Sequence, residues 1–231
     1  MFTPLGDQAV TITLGTAIDE GTHRLVRAVT RAIMASDVPG VTDIVPAFAS
    51  VTVHYDPLRL AGTDGKAPHE RMVSALQTLL DGVRVKDLPE PRIVEIPVCY
   101  GGLLGPDLTD VARQHDLSTD DVVQLHSSAD YLVYMVGFMP GFAYLGGLPD
   151  RIATPRRSSP RTAVPAGAVG IGGQQTGVYP VESPGGWNLI GRTPLQIFDI
   201  TRDEQTLLAT GDRVRFMPIS LREFERWPSQ S

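Results

Sequence analysis

Val178-Tyr179-Pro180-Val181-Glu182-Ser183-Pro184-Gly185-Gly186-Trp187-Asn188-Leu189-Ile190-Gly191-Arg192-Thr193-Pro194 sets the reading of the whole chain. Glycines and prolines alternate there with single aromatic, amide, hydroxyl and arginine side chains, so the backbone is shaped into turns that present a few polar groups. That is the composition of a binding site. A packed helix would need a periodic apolar stripe that this stretch lacks, and a disordered linker would carry fewer aromatic and aliphatic residues. The surrounding region, Gly137 to Asp199, is accordingly read as ordered loops and short strands.

Upstream, Gln8 to Leu14 alternates as a half-buried strand, and Asp19 to Ser36 carries Leu25, Val29 and Ile33 at helical spacing until Val38-Pro39-Gly40 stops it. Val41 to Ala47 and Ser50 to Tyr55 are spaced to pair as a hairpin. Met72, Leu76, Leu79 and Leu80 predict a helix over Pro68 to Leu80, closed by Asp81-Gly82. This order suggests a small split α/β domain over residues 1–88. Asp87-Leu88-Pro89-Glu90-Pro91 reads as an extended connector, and a second domain is expected over 92–231.

In that second part, Ile93 to Val98 predicts a strand with Pro97 at an edge or bulge. Asp107 to His115 and Ser118 to His126 predict short helices, the latter opened by Ser118 with Asp121 in capping-box position. Tyr131 to Val136 is β-rich, and Gly211-Asp212 turns into a last strand at Arg213 to Met217. Short strands separated by Gly/Pro turns suggest a closed or nearly closed β structure with a few helices.

A chain of 231 residues with 42% hydrophobic content buries a core without staples, and its single cysteine, Cys99, makes no internal disulfide. The formal net charge of -6 offers no general attraction for nucleic acid or an anionic membrane. With no leader pattern at Met1-Phe2-Thr3-Pro4 and no apolar run of spanning length, the expected location is the cytoplasm.

Four constellations carry possible chemistry. Arg151, Arg156, Arg157 and Arg161 fall in one stiff loop, with no acid until Glu182. They form either an anion site, since guanidinium forks match carboxylate and phosphate oxygens, or a solvated loop paired with acids elsewhere. Val164 to Gly177 is glycine-rich but fits neither a Walker A loop nor a dinucleotide fingerprint; it leaves either close backbone approach with Gln174, Gln175 and Thr176 facing a ligand, or tight β turns. Phe138 to Gly147 places Phe138 and Phe142 around Pro140-Gly141, as pocket walls or as core. Ser183 lacks a nucleophile elbow, so turn hydrogen bonding is expected of it. No histidine pair has metal spacing, so no metal is expected. His126, at a helix C-terminus before the strand leading into the central region, is the histidine placed to reach a pocket, where a charged form would be favoured; a capping role is the alternative.

The motifs Gly6-Asp7, Pro97-Val98-Cys99-Tyr100-Gly101-Gly102, Gly105-Pro106-Asp107-Leu108 and Leu125-His126-Ser127 are followed by Gly137 to Leu145, Pro155-Arg156 and Pro160-Arg161. Val164-Pro165-Ala166-Gly167, Gln175 to Pro180, Ser183 to Trp187 and Gly191-Arg192-Thr193-Pro194 complete the set. On these residues the chain resembles the family variously called the B subunit of 5-oxoprolinase, histidine-kinase inhibitor KipI and allophanate hydrolase subunit 1. The resemblance implies an α+β protein, with a small N-terminal α/β domain followed by a cyclophilin-like β-barrel domain. It also implies a hetero-oligomer in which this chain, with a homologous C subunit plus an A subunit, opens 5-oxo-L-proline to L-glutamate, with ATP as co-substrate. Alternatives within the resemblance are a KipI-like inhibitor of a sensor histidine kinase and an enzyme component working on allophanate. For the first activity, Arg161 and Arg192, with Arg156, are expected to hold carboxylate or phosphoryl oxygens, and His126 to carry a proton. Gln175, Tyr179 and Asn188 are expected to orient the lactam, with Phe142 and Trp187 as walls. The chain alone is expected to be inactive.

Overall fold

The computed structural model describes residues 1–17, 19–63, 65–83, 85 and 88–228, so Asp87 of the expected connector lies outside the described residues. The chain forms two compact units, residues 1–90 and 91–231. Among the described residues, no helix is long and apolar enough to cross a membrane.

The first unit is a sheet of β1 (Phe2–Pro4), β2 (Ala9–Thr13), β4 (Ser50–Tyr55) and β3 (Val41–Pro46), in that spatial order, with α1 (Glu20–Ala35) and α2 (Pro68–Leu80). Each pair is antiparallel. Alternation in β2 and β4 turns Val10, Ile12, Val51 and Val53 into a core that they share with Val26, Val29 and Ile33 of α1 and Met72 and Leu76 of α2. Asp19 starts α1 by accepting from the Thr22 N–H at 2.9 Å, and Pro68 begins α2 where a missing N–H costs nothing. β1 had no signal in the sequence; it is three residues long, pairs with β2, and packs Phe2 against the core.

The second unit is a closed barrel, which makes the chain an α+β protein. Among the described residues its wall runs β10 (Gln175–Val178), β7 (Ala143–Gly146), β6 (Tyr131–Val136), β13 (Arg213–Pro218), β5 (Ile93–Tyr100), β12 (Asn188–Arg192), β9 (Ala168–Gly172) and back to β10. A separate ribbon pairs β8 (Arg161–Val164) with β11 (Ser183–Gly185). Helices α3 (Leu108–Gln114) and α4 (Thr119–Ser127) lie between β5 and β6 in the chain. Ser118 and Asp121 form the expected capping box on α4. A last helix, α5 (Leu221–Glu225), with its own capping box at Ser220 and Glu223, was not anticipated because five residues are too few to show a period.

Pro97 is not at an edge. The strand β5 lies inside the wall, with β13 parallel to it from Ile93 to Val98. Arg213 donates to the Arg92 carbonyl and Ile219 to the Val98 carbonyl, so the even-numbered residues of β5 face the β13 ladder. Pro97 therefore turns its nitrogen toward β12, whose pairing begins only at Cys99, and the missing N–H goes unused.

Candidate functional site

Gly170 and Gly172 of β9 and Gly177 of β10 lie on one face of the wall, because Gly177 pairs with Gly170 and alternate residues share a side. Val169, Ile171 and Val178 fill the barrel from the opposite face. A Cβ on Gly172 would stand 2.5–2.7 Å from three atoms of the Trp187 indole, and one on Gly177 would stand 3.1 Å from it. The glycines are a flat seat for one indole ring. Close backbone approach, one of the two readings of this run, is thus served inside the protein.

Around Trp187 stand Phe142, Tyr144 and Tyr179, each ring edge-on to its neighbours with centroids 4.9–6.5 Å apart. Phe142, Tyr179 and Trp187 are buried core residues that still border a pocket of about 200 Å³, together with the exposed Phe138 at its rim. Phe138 adopts φ 70°, a left-handed conformation that is strained for an aromatic residue. The Arg156 guanidinium sits 5.9 Å over the Trp187 ring, and Arg157, Pro160, Gly185 and Gly186 complete the lining. Burial raises the pKa of the Tyr179 phenol, while the Trp187 backbone N–H and the charges of Arg156 and Arg161 act in the opposite direction.

Behind the lining is a buried carboxylate. Asp107 Oδ1 accepts from Arg157 Nη1 at 3.0 Å and from Arg161 Nη2 at 2.7 Å, and Oδ2 accepts from the Leu189 N–H at 2.7 Å. Pairing with an acid elsewhere, one of the alternatives for this loop, holds for these two arginines. It is incomplete: Arg157 Nε, Arg161 Nη1 and Ser183 Oγ are buried without a hydrogen-bond partner among the described residues. Turn hydrogen bonding by Ser183 is therefore absent; the residue sits in β11 opposite Val164.

Of the residues expected at the site, the structure gathers Phe142, Arg156, Tyr179 and Trp187 on the pocket, with Arg161 just behind it. It places His126, Gln175, Asn188 and Arg192 outside the lining. Asn188 donates to the carbonyls of Pro155 at 2.9 Å and Ile171 at 3.3 Å, tying a loop to β9, and Arg192 Nε donates to the Ala166 carbonyl at 2.8 Å. Gln175 stands at the start of β10, next to the turn at Gly173.

His126 is fully buried in the barrel, stacked on Phe216 and Tyr131. Thr176 donates to the Gly170 carbonyl at 3.0 Å, so it must accept from His126 Nε2 at 2.9 Å, and Nδ1 is left to accept from the Tyr100 hydroxyl at 2.8 Å. These bonds describe a neutral imidazole. Burial pushes its pKa down to about 3, which corrects both the charged form and the proton-carrying role expected for it. Tyr131 closes the network by donating to the His126 carbonyl at 2.7 Å.

Arg157, on the lining, and Asp107, behind it, are the residues of this arrangement that the sequence did not single out. Arg157 belonged to the basic loop without being singled out, and Asp107 was read as a helix start. A larger groove of about 430 Å³ in the first unit is lined mainly by apolar residues, Ala28, Ala32, Ala35 and Leu79 among them, with Arg31 and Ser36 as its polar side chains among the described residues.

Two curated relatives match over nearly their whole length. The B subunit of 5-oxoprolinase from Bacillus subtilis (strain 168) is 44% identical over 230 residues, covering 98% of this chain and 96% of that one. Its counterpart of the same name from Escherichia coli O157:H7 is 43% identical over 216 residues, covering 93% and 94%. Among solved structures, TTHA0988 superposes with a TM-score of 0.79 at 37% identity over 92% of this chain, which spans 40% of that longer one. The family described as "Carboxyltransferase domain, subdomain C and D" matches residues 1–208, and the chain belongs to that family.

Proposed function

We infer that this chain is the B subunit of an ATP-dependent 5-oxoprolinase and contributes a pocket for the cyclic amide. The observation that carries this reading is the aromatic box of Phe142, Tyr144, Tyr179 and Trp187 with Arg156 and Arg157 at its border. A small flat ring stacks on such walls, and a ring carboxylate is met by the guanidinium groups. The near full-length relatives, both named as B subunits of 5-oxoprolinase, support the same choice of substrate.

A pocket of about 200 Å³ suits a five-membered lactam and not a nucleotide, since drug-sized ligands occupy about 300 Å³ or more. What this chain supplies is placement: the ring is held at the aromatic border of the pocket, and positive charge is fixed beside the oxygens that become more negative as the amide is activated.

The test is reconstitution with candidate A and C subunits, following glutamate formation. Trp187→Ala is expected to raise KM for 5-oxoproline about tenfold or more, the loss of one stacked ring from a small ligand. Purified chain alone is expected to show no 5-oxoproline-dependent ATP hydrolysis. A complete complex that opens allophanate but leaves 5-oxoproline untouched refutes the substrate assignment.

A further inference from the structure

We propose that Arg157 and Arg161 form a carboxylate-reading subsite at the border of the aromatic pocket, with Asp107 as the residue that positions both; the inference rests on the pocket being a cyclic-amide site. Asp107 is only 3% exposed and is locked to β12 from two sides. Its N–H donates to the Leu189 carbonyl at 2.9 Å and its Oδ2 accepts from the Leu189 N–H at 2.7 Å. The carboxylate is thus fixed before either guanidinium meets it. Both arginines use the same oxygen, Oδ1, which sets two positive groups side by side that would otherwise repel each other.

One acid against two guanidiniums leaves an uncancelled positive charge, and Arg156 over Trp187 adds a second. The donors left over point to what that charge is for. Arg157 Nε, Arg161 Nη1 and Ser183 Oγ are buried and unpartnered among the described residues, an expensive state for any polar group. They belong to one piece of structure: Gly185 of β11 pairs with Arg161 of β8, and Arg157 donates its backbone N–H to the Gly186 carbonyl at 2.7 Å. A carboxylate has two oxygens and about four lone pairs, enough to answer such a set of donors. Arg157 also borders the pocket, so an acid group on a ring lodged there lies within its reach. Arg157 is then the substrate contact, and Arg161 stands behind it on the same carboxylate oxygen. Asp107 touches no substrate.

The ligand class is a small cyclic amide bearing one carboxylate, discriminated from the same ring without it. Titration calorimetry on the full chain with 5-oxo-L-proline and with 2-pyrrolidinone reads this directly. The wild-type chain is expected to bind 5-oxo-L-proline at least about tenfold more tightly, the worth of a charge-assisted pair. Arg157→Ala is expected to abolish that preference while 2-pyrrolidinone binding stays within about twofold, because only the charged contact is removed. Asp107→Asn keeps the shape and loses the charge; it is expected to weaken 5-oxo-L-proline about tenfold and, in the reconstituted complex, to raise KM by a similar factor with kcat within about threefold.

A preference that survives Arg157→Ala overturns the proposal, as does a wild-type chain that binds neither ligand or an equal loss for both ligands at unchanged melting temperature. If Asp107→Asn does not fold, Arg157→Ala decides alone, since its side chain is 35% exposed and its truncation leaves the Asp107–Arg161 pair in place. A complex that opens 5-oxoproline with unchanged KM in Arg157→Ala removes the subsite and leaves the pocket reading intact. Arg157-dependent binding of 5-oxo-L-proline in a chain whose complex does not open it does the reverse.

Discussion

Replacing His126 with alanine is expected to cost about 3 kcal/mol or more of stability while leaving the turnover of the folded fraction within about twofold. The imidazole fills space against Phe216 and Tyr131, accepts from Tyr100 and donates to Thr176. Its removal creates a cavity and takes from the Tyr100 hydroxyl its acceptor at Nδ1. Urea unfolding of the variant measures the first expectation, and glutamate formation by the reconstituted complex measures the second. A large fall in kcat with unchanged stability would restore His126 to the chemistry.

The same burial gives a pH signature. Folding holds the His126 pKa at about 3, below its ordinary 6.5, so the unfolded chain takes up a proton below pH 6.5 that the folded chain refuses. Stability therefore falls as pH drops from about 6.5, by roughly 1.4 kcal/mol per pH unit for such a histidine. His23, fully buried in the first unit and held at about 4 by burial, adds to the slope of that unit over the upper part of the range. The carboxylates of Asp19, Asp121, Asp130, Asp199 and Glu223 are held below their ordinary values by hydrogen bonds, and they lose their contribution only as pH falls further. Urea midpoints between pH 7 and pH 5 isolate the histidines. A flat profile in that interval excludes a buried neutral His126.

Gly105→Ala is expected to be at least as damaging, about 3 kcal/mol or more, because the methyl group would collide with the Ile190 carbonyl and lie 2.6 Å from the Gly101 nitrogen. Neither neighbour is a flexible side chain. Gly101 donates to the Ile190 carbonyl at 3.0 Å and Asp107 to the Leu189 carbonyl at 2.9 Å, so lifting this loop from β12 also shifts the carboxylate that holds Arg157 and Arg161. Gly102→Ala is the control. No atom lies within 4 Å of its added Cβ, and the cost there is only that of φ 55° for an L-residue, about 1 kcal/mol. Equal melting temperatures for the two variants would show that the close approach at Gly105 does not exist.

Local signals were legible in the sequence. The helix over Pro68 to Leu80 and the capping box at Ser118 and Asp121 each follow from residues within a few positions of one another. The aromatic half of the site was legible too, since Phe142, Tyr179 and Trp187 lie among turns that hold them in fixed places. What stayed hidden depends on register and on distant partners. Asp107 meets arginines 50 and 54 residues away, and His126 meets Tyr100 and Thr176 across 26 and 50 residues. No spacing rule connects such positions. The glycines at 170, 172 and 177 suggested freedom of the backbone, but only the pairing of β9 with β10 reveals that they share a face and seat an indole. Pro97 misled for a related reason: its tolerance depends on where β12 begins to pair.

The wall of the barrel is completed by its last strand. The strand β13 lies between β5 and β6, and Arg92 is joined to Asp212 across 120 residues. While the chain is being synthesised, β5 and β6 have already left the ribosome and face each other with bare edges, which are templates for pairing with other chains. Closure waits for the arrival of Arg213 to Pro218, and contacts of such long sequence separation form slowly. The first unit, residues 1–90, has every strand of its sheet well before then. Nascent chains of this protein thus pass through a window in which one half can be folded and the other lacks its closing strand, and the length of that window depends on translation rate and on the rate of closure together.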